Sequence, residues 1–375
     1  MGAGVVSAGT LTSALTVGSP AASGAQPAVW EKSAPDALGF ASDLGDKFDA
    51  GIRSGLLRGL HSIVVARAGK LVLERYYTGV DENWGRPLGQ VTFTPDTLHD
   101  LRSVTKSIVS LVYGIALDRG LVPPPDAPLL AQFSEYPDLA ADPQRAAIKI
   151  VHALNMTLGM QWNEQLPYTN PANSEIMMEN APDKFRFVLE RPIVEPPGTR
   201  WNYSGGCSAL IGRLIEKGTA RSLADFAREA LFEPLGISNI EWATGNDTRH
   251  SAASGLRLMP RDIARIGMMV LGKGQINNRR IVSAEWIDAS SKPVIPTNDG
   301  LEYGRFWWLG EMPTPAFKAP QRFVAGFGNG GQRLWLLPAA DLCCVITSGN
   351  YNAVDSWVAP TRVWREIVLA NLLKA

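Results

Sequence analysis

Two short runs near residue 60 are rich in β-branched, aliphatic and aromatic residues: Ser62 to Ala66 (SIVVA) and Leu71 to Tyr77 (LVLERYY). Arg67-Ala68-Gly69-Lys70 between them has turn chemistry, so the pattern predicts two paired strands. Ser103 to Leu117 reads differently. Val104, Ile108, Val109, Leu111, Val112, Ile115 and Leu117 put apolar groups on nearly every side of a helix. Such a helix belongs in the middle of a large protein. Gly120 is a C-terminal cap for it, and Pro123-Pro124-Pro125 prevents continuation.

From about Asp126 to Trp242 the spacing is mostly helical with long loops. It predicts a helix over Ser208 to Glu216, stopped by Gly218, and another over Leu223 to Phe232. Ser222 is the N-cap of the latter, and Asp225 suits the positive helix end. An amphipathic helix follows over Arg261 to Gly272, with Pro260 just before it. The C-terminal part returns to strand-like runs: Gly304 to Gly310, Arg322 to Gly326, Gln332 to Leu337 and Leu342 to Thr347. Pro338-Ala339-Ala340-Asp341 joins the last two as a hairpin. Leu342 to Ile346 is continuously apolar, which predicts a strand covered on both faces. Pro360 opens a last helix, whose Val363, Trp364, Ile367, Val368 and Leu372 lie against the sheet.

Strands, a helical block, then strands and a helix predict an α+β fold. One antiparallel sheet is built from both chain ends and flanked by helices, with an all-helical part inserted. The sheet part spans about 40–102 and 256–375, the helical part about 103–255, and a cleft lies where they meet.

Composition narrows the function classes. The 375 residues are 45% apolar, enough for a large core, and 36 basic residues balance 36 acidic ones. Nucleic-acid binders carry a basic excess or stripe, and none is present. No apolar run approaches the ~18–20 residues of a membrane span. Cys207, Cys343 and Cys344 form neither a disulfide framework nor a C-x-x-C pair, and read as buried apolar residues. His61, His99, His152 and His250 have no short ligand spacing, which argues against a zinc hydrolase. Residues 1–25 are signal-like: a mildly apolar stretch, Val5 to Val17, leads to the small residues Ser23-Gly24-Ala25. This favours a periplasmic or secreted protein; a disordered tail on a cytoplasmic one is the alternative.

Three elements carry candidate chemistry. In Ser103-Val104-Thr105-Lys106 the hydroxyl and the amine share one helix face. The helix N-terminus favours a developing alkoxide, and with burial it disfavours a protonated lysine, leaving a neutral amine as base. S-x-x-K arises about once by chance in a chain this long. Its weight comes from placement, because a lysine inside an apolar helix needs a reason. The second element is Tyr203-Ser204-Gly205-Gly206, on a glycine-rich loop at a helix entrance. Tyr203 there is either a proton relay or an aromatic plug. The third, Gly326 to Gln332, fits G-x-G-x-x-G. The strand after it excludes a dinucleotide site. Its N–H groups suit an oxyanion hole, or it is a plain turn.

These elements, in this order, resemble the serine β-lactamase/penicillin-binding-protein superfamily. The likeness is closest to its class C-like serine hydrolases, which include carboxylesterases and 6-aminohexanoate-dimer hydrolases. It runs from about Ser62 to Ala370, supported by Met156 to Glu164, Glu233-Pro234-Leu235-Gly236, Gly255 to Ile263 and Gly330-Gly331-Gln332. The resemblance implies that Ser103 is the acylated nucleophile and Lys106 its base. Tyr203 would share proton transfer to the leaving group. The backbone N–H groups of Ser103 and Asn329 would form the oxyanion hole, with Gly328 and Gly326 lining the substrate site. No cofactor is implied; the partner would be a small-molecule ester or amide.

Two departures from the family pattern stand out. Gly205 replaces an asparagine of the second motif, and Gly326 replaces a lysine or histidine of the third. Both count against a β-lactamase or D-Ala-D-Ala carboxypeptidase and suggest a wider site for plain esters or linear amides. A catalytically inert binding protein on the same fold is a further alternative. Tyr168, Asn173 and Glu175 are expected on a solvated loop, with contact to substrate as the alternative, and Trp307 and Trp308 in the core or along an acyl pocket.

Overall fold

The structure is a computed structural model that describes residues 30–375. The signal-like segment lies outside the described residues. Eight strands form the main sheet: β1 (Leu60–Arg67), β2 (Lys70–Tyr76), β3 (Ile295–Pro296), β4 (Glu302–Gly304), β5 (Trp307–Met312), β6 (Gln321–Gly328), β7 (Gln332–Leu337) and β8 (Leu342–Ser348). The order across the sheet is β3-β4-β5-β6-β7-β8-β1-β2, antiparallel throughout. The expected α+β fold is therefore present: β1 and β2 from the N-terminal side close onto the C-terminal strands.

Period-two alternation explains why the central strands are apolar on both faces. Val64, Leu334, Leu336, Cys343 and Val345 enter one core. Ile63, Val65, Trp335, Leu337, Cys344 and Ile346 enter the other. The second core is covered by α1 (Leu44–Arg53) and by the C-terminal helical segment, where Val363, Trp364, Ile367, Val368 and Leu372 are all buried. The first is covered by α2 (Val104–Asp118), α3 (Gly205–Thr219) and α4 (Pro260–Leu271). The three cysteines are free and buried, as expected. Among the described residues no helix is long and apolar enough to cross a membrane.

Three expectations change in detail. The single run Gly304 to Gly310 is two strands. Arg305 and Phe306 turn the chain with φ of 47° and 68°, held because Asn155 Oδ1 and the Leu154 carbonyl accept their N–H groups. α3 starts three residues before Ser208 and passes through Gly218 to Thr219. Gly218 is a packing glycine, since a Cβ there would meet the Leu121 carbonyl oxygen at 2.0 Å. The last helix begins at Val358, with Pro360 inside its first turn, where no N–H is missed. A hairpin of Thr78–Asn83 and Arg86–Thr92, which the sequence reading left out, also forms.

Candidate active site

Ser103 sits at the N-cap of α2, half-buried, and its hydroxyl makes no capping bond. The hydroxyl instead accepts a hydrogen bond from Lys106 Nζ at 3.0 Å, one turn into the helix. Lys106 is 1% exposed. A second donor of the same ammonium goes to the Ala253 carbonyl at 2.9 Å. These two bonds aim Nζ at Ser103, so the S-x-x-K pair is a contact and not only a spacing.

Tyr203 is on the last turn of chain before α3. Its ring lies 5.0 Å from Lys106 Nζ and stacks on Trp308 at 6.0 Å. Trp308 also stacks on Phe327 at 5.3 Å, so an aromatic row runs from Tyr203 to β6. Trp307 points the other way and is core. Ser204 caps α3, accepting from the Cys207 N–H.

The glycines of the third element are close-approach positions. A Cβ at Gly328 would meet the Leu101 carbonyl oxygen at 2.4 Å and Arg102 Cβ at 3.1 Å, so the end of β6 runs against the chain that enters Ser103. A Cβ at Gly326 would lie 3.0 Å from Ser107 Oγ and 3.2 Å from Val104 Cγ1. Ser107 Oγ is held there by donating to the Phe306 carbonyl at 2.7 Å. Asn329 continues from β6; its side chain turns away, donating to Asn352 Oδ1 and accepting from the Asn352 N–H.

The loop after Trp162 is exposed at Asn163, Gln165, Pro167 and Thr169, but Glu164, Asn173 and Glu175 are buried and Tyr168 is half-buried, so these side chains do not have the solvated places expected of them. Asn173 is fully buried and caps the short helix Ser174–Glu179, accepting from the N–H of Glu175 and donating to the Leu166 carbonyl. The cap folds the loop inward and delivers Glu175 to the site. Glu164 accepts three hydrogen bonds, from Trp162 Nε1 at 2.7 Å, the Gly205 N–H at 2.6 Å and the Tyr168 hydroxyl at 2.8 Å. Glu175 Oε2 lies 3.9 Å from Lys106 Nζ and has no hydrogen-bond partner among the described residues.

Nor is the site widened at the two departures. A Cβ at Gly205 would meet Glu175 Oε2 at 2.1 Å, and one at Gly206 would meet the Trp162 ring at 2.9 Å. Carboxylate and indole occupy that space, as Ser107 and Val104 do at Gly326. The sequence pattern assigns no site role to Glu164, and it places Glu175 on a solvated loop with substrate contact only as the alternative; the fold buries both beside Lys106. The signal that pointed to them was the glycine pair opening α3, which marks something packed close to the helix end.

The electrostatics also depart from expectation. Burial opposes a charge on Lys106, but its interactions with Tyr203, Glu175 and Glu164 outweigh burial and hold the ammonium above its ordinary range. The resting lysine is thus protonated, not neutral. Burial and the charge of Glu164 push the Glu175 carboxyl well up, against the pull of Lys106. Burial likewise raises the Tyr203 phenol, with Lys106 opposing, so it rests protonated.

A separate buried group precedes Ser103 in the chain. His61, Asp81 and His99 offer ligand atoms within 4.8 Å of one another, a cluster that sequence spacing did not suggest. His61 Nδ1 and His99 Nε2 are hydrogen-bonded at 2.8 Å, and the Arg257 guanidinium is 3.7 Å from Asp81. Burial lowers His61 to about 4 and His99 to about 3, with Asp81 opposing in each case. A neutral pair beside an arginine is a structural network more than a cation site.

A half-buried serine at a helix N-terminus, bonded to a buried lysine beside a tyrosine, is an arrangement that can activate a serine nucleophile. The family model for Beta-lactamase matches residues 49–365, and the chain belongs to that family. The 6-aminohexanoate-dimer hydrolase of Paenarthrobacter ureafaciens is 25% identical over 338 residues, covering 83% of this chain and 76% of that protein. Lovastatin esterase of Penicillium rubens is 31% identical over 122 residues, 32% of this chain and 28% of that one. Among solved structures, EstCE1, a hydrolase with promiscuous acyltransferase activity, superposes with a TM-score of 0.65 at 16% identity. That match covers 85% of this chain and 94% of that chain, and it shows the shared fold.

Proposed function

We propose that the protein hydrolyses small-molecule carboxylic esters or linear amides through an acyl-enzyme on Ser103. The observation that carries this reading is the 3.0 Å contact from Lys106 Nζ to Ser103 Oγ, with the lysine fixed by the Ala253 carbonyl. The named relatives, an amide hydrolase and an esterase, support the substrate classes. Export to the periplasm or medium remains part of the proposal and rests on the composition of residues 1–25.

In the first half-reaction Lys106, once neutral, takes the Ser103 proton as Oγ attacks the substrate carbonyl. The oxyanion accepts hydrogen bonds from the backbone N–H groups of Ser103 and Asn329, with Gly328 allowing the close approach. The leaving group departs with the proton, passed from the Lys106 ammonium by way of the Tyr203 hydroxyl. Water then attacks the acyl carbonyl with the same groups in reverse. A lysine or histidine at position 326 would have to displace Val104 and Ser107, which favours esters and linear amides over substrates held by a carboxylate.

The test is hydrolysis of p-nitrophenyl butyrate by the wild type and Ser103→Ala side by side. Activity lost in the variant supports the reading. Equal activity in both rejects it, and lack of labelling of wild-type Ser103 by a fluorophosphonate favours an inert binding protein.

A further inference from the structure

Lys106 rests as an ammonium, yet it must lose a proton before it can accept the one on Ser103. Its surroundings narrow where that proton goes. One donor is spent on Ser103 Oγ and one on the Ala253 carbonyl, which cannot take a proton. The Tyr203 phenol also interacts with Lys106 but is itself raised and holds its proton, so the carboxylate oxygen close by is Glu175 Oε2, 3.9 Å away, buried and without a hydrogen-bond partner among the described residues. It reaches that place only because position 205 has no side chain, since a Cβ there would meet the same oxygen at 2.1 Å.

The groups facing Glu175 come from every neighbouring element. Lys106 faces it from α2, Tyr203 from the chain entering α3, and Glu164 and Tyr168 from the preceding loop. Glu179, on its own helix, is tied to Lys184, which Asp247 also pairs. Burial and the neighbouring Glu164 raise the Glu175 carboxyl, which makes its free oxygen a stronger proton acceptor than an ordinary carboxylate.

We propose that Glu175 is a positioning residue that acts through Lys106, as the internal acceptor that turns the ammonium into the amine base. This rests on the acyl-enzyme reading above. The step balances. Lys106 Nζ gives a proton to Glu175 Oε2: one N–H bond breaks, one O–H bond forms, and the ammonium beside a carboxylate becomes an amine beside a carboxylic acid. A buried ion pair becomes a neutral pair. Burial makes this exchange accessible, because desolvation penalises the charged arrangement and not the neutral one. No proton need cross to solvent. When Lys106 then takes the Ser103 proton, the charged arrangement returns with the acyl bond forming.

The experiment measures kcat and kcat/KM on p-nitrophenyl butyrate against pH for wild type, Glu175→Gln, Gly205→Ala, Glu175→Ala and the Glu175→Ala/Gly205→Ala double variant. Glutamine keeps the shape but cannot accept the proton. Glu175→Gln is expected to lower kcat about 10- to 100-fold at pH 7, with activity recovering tenfold per pH unit as Lys106 titrates against solvent. Gly205→Ala, which pushes Glu175 aside, is expected to do the same. In the Glu175→Ala background Gly205→Ala should add little, because the colliding oxygen is gone. An unchanged profile for Glu175→Gln, or faster turnover extending to lower pH, overturns the proposal; the latter would mean Glu175 only locks the lysine as a cation. Ser103→Ala run alongside separates the two claims. If Ser103→Ala is inactive and Glu175→Gln behaves as wild type, the acyl-enzyme reading stands and the Glu175 role falls. If Ser103→Ala is active, the underlying reading falls.

Discussion

The chain carries one buried polar cluster just before Ser103 and another just after it, and burial has opposite results in the two. In the histidine cluster, His61 and His99 bond to each other and are pushed down to about 4 and about 3, so both rings are neutral at physiological pH. In the lysine cluster, Lys106 is held above its ordinary range while the Glu175 carboxyl beside it is pushed well up. The first has settled its charges by giving up protons. The second keeps a cation close to a buried carboxyl group whose Oε2 has no hydrogen-bond partner among the described residues. A buried group left unsatisfied costs stability, and under the proposal above that cost is retained where a proton has to move.

Substitution separates the clusters most sharply at Lys106. Lys106→Met should lower the acylation rate of Ser103 about 1000-fold or more, measured as the burst of p-nitrophenol, while the protein stays folded by circular dichroism. Next comes Tyr203→Phe. Losing only the hydroxyl should lower kcat about 100-fold. Labelling of Ser103 by a fluorophosphonate, which carries a good leaving group, should be slowed less. No substitution in the histidine cluster should change the pH–rate profile in this way.

The histidine cluster should govern acid stability instead. Its two pKa values lie below the ordinary 6.5, so the unfolded chain binds more protons between about pH 6.5 and about pH 3. The stabilisation is present above pH 6.5 and lost as pH falls through that window, on the order of 2–3 kcal/mol per histidine by pH 4.5. The melting temperature should fall between pH 7 and 4.5, and the double variant His61→Gln/His99→Gln should have a flatter slope. The smallest expected effect is at Gly326→Ala. The added methyl, 3.0 Å from Ser107 Oγ, should cost about 1 kcal/mol in urea denaturation.

The same contrast marks what the sequence disclosed. The sheet was legible because its strands obey period two and are apolar on both faces: Leu342–Ile346 and Gln332–Leu337 appear where the pattern places them. Ser103, Lys106 and Tyr203 were legible because two share a helix face and the third opens another helix. Glu175 was not. It arrives through a buried cap at Asn173 and fills a space defined by the absence of a side chain at Gly205, and neither relation is periodic. The hairpin turn at Arg305-Phe306 was hidden for a similar reason. Its positive φ values are held by Leu154 and Asn155, some 150 residues earlier. The charge on Lys106 was misjudged because helix field and burial were weighed without the carboxylates that fold brings to it.

The most direct test of the central claim is mass spectrometry of the protein after brief exposure to a fluorophosphonate, followed by peptide mapping. The account predicts one adduct, on the peptide that carries Ser103, formed rapidly in the wild type and at least about 1000-fold more slowly in Lys106→Met. An adduct on another serine, or equal labelling of Ser103 in both proteins, would contradict it.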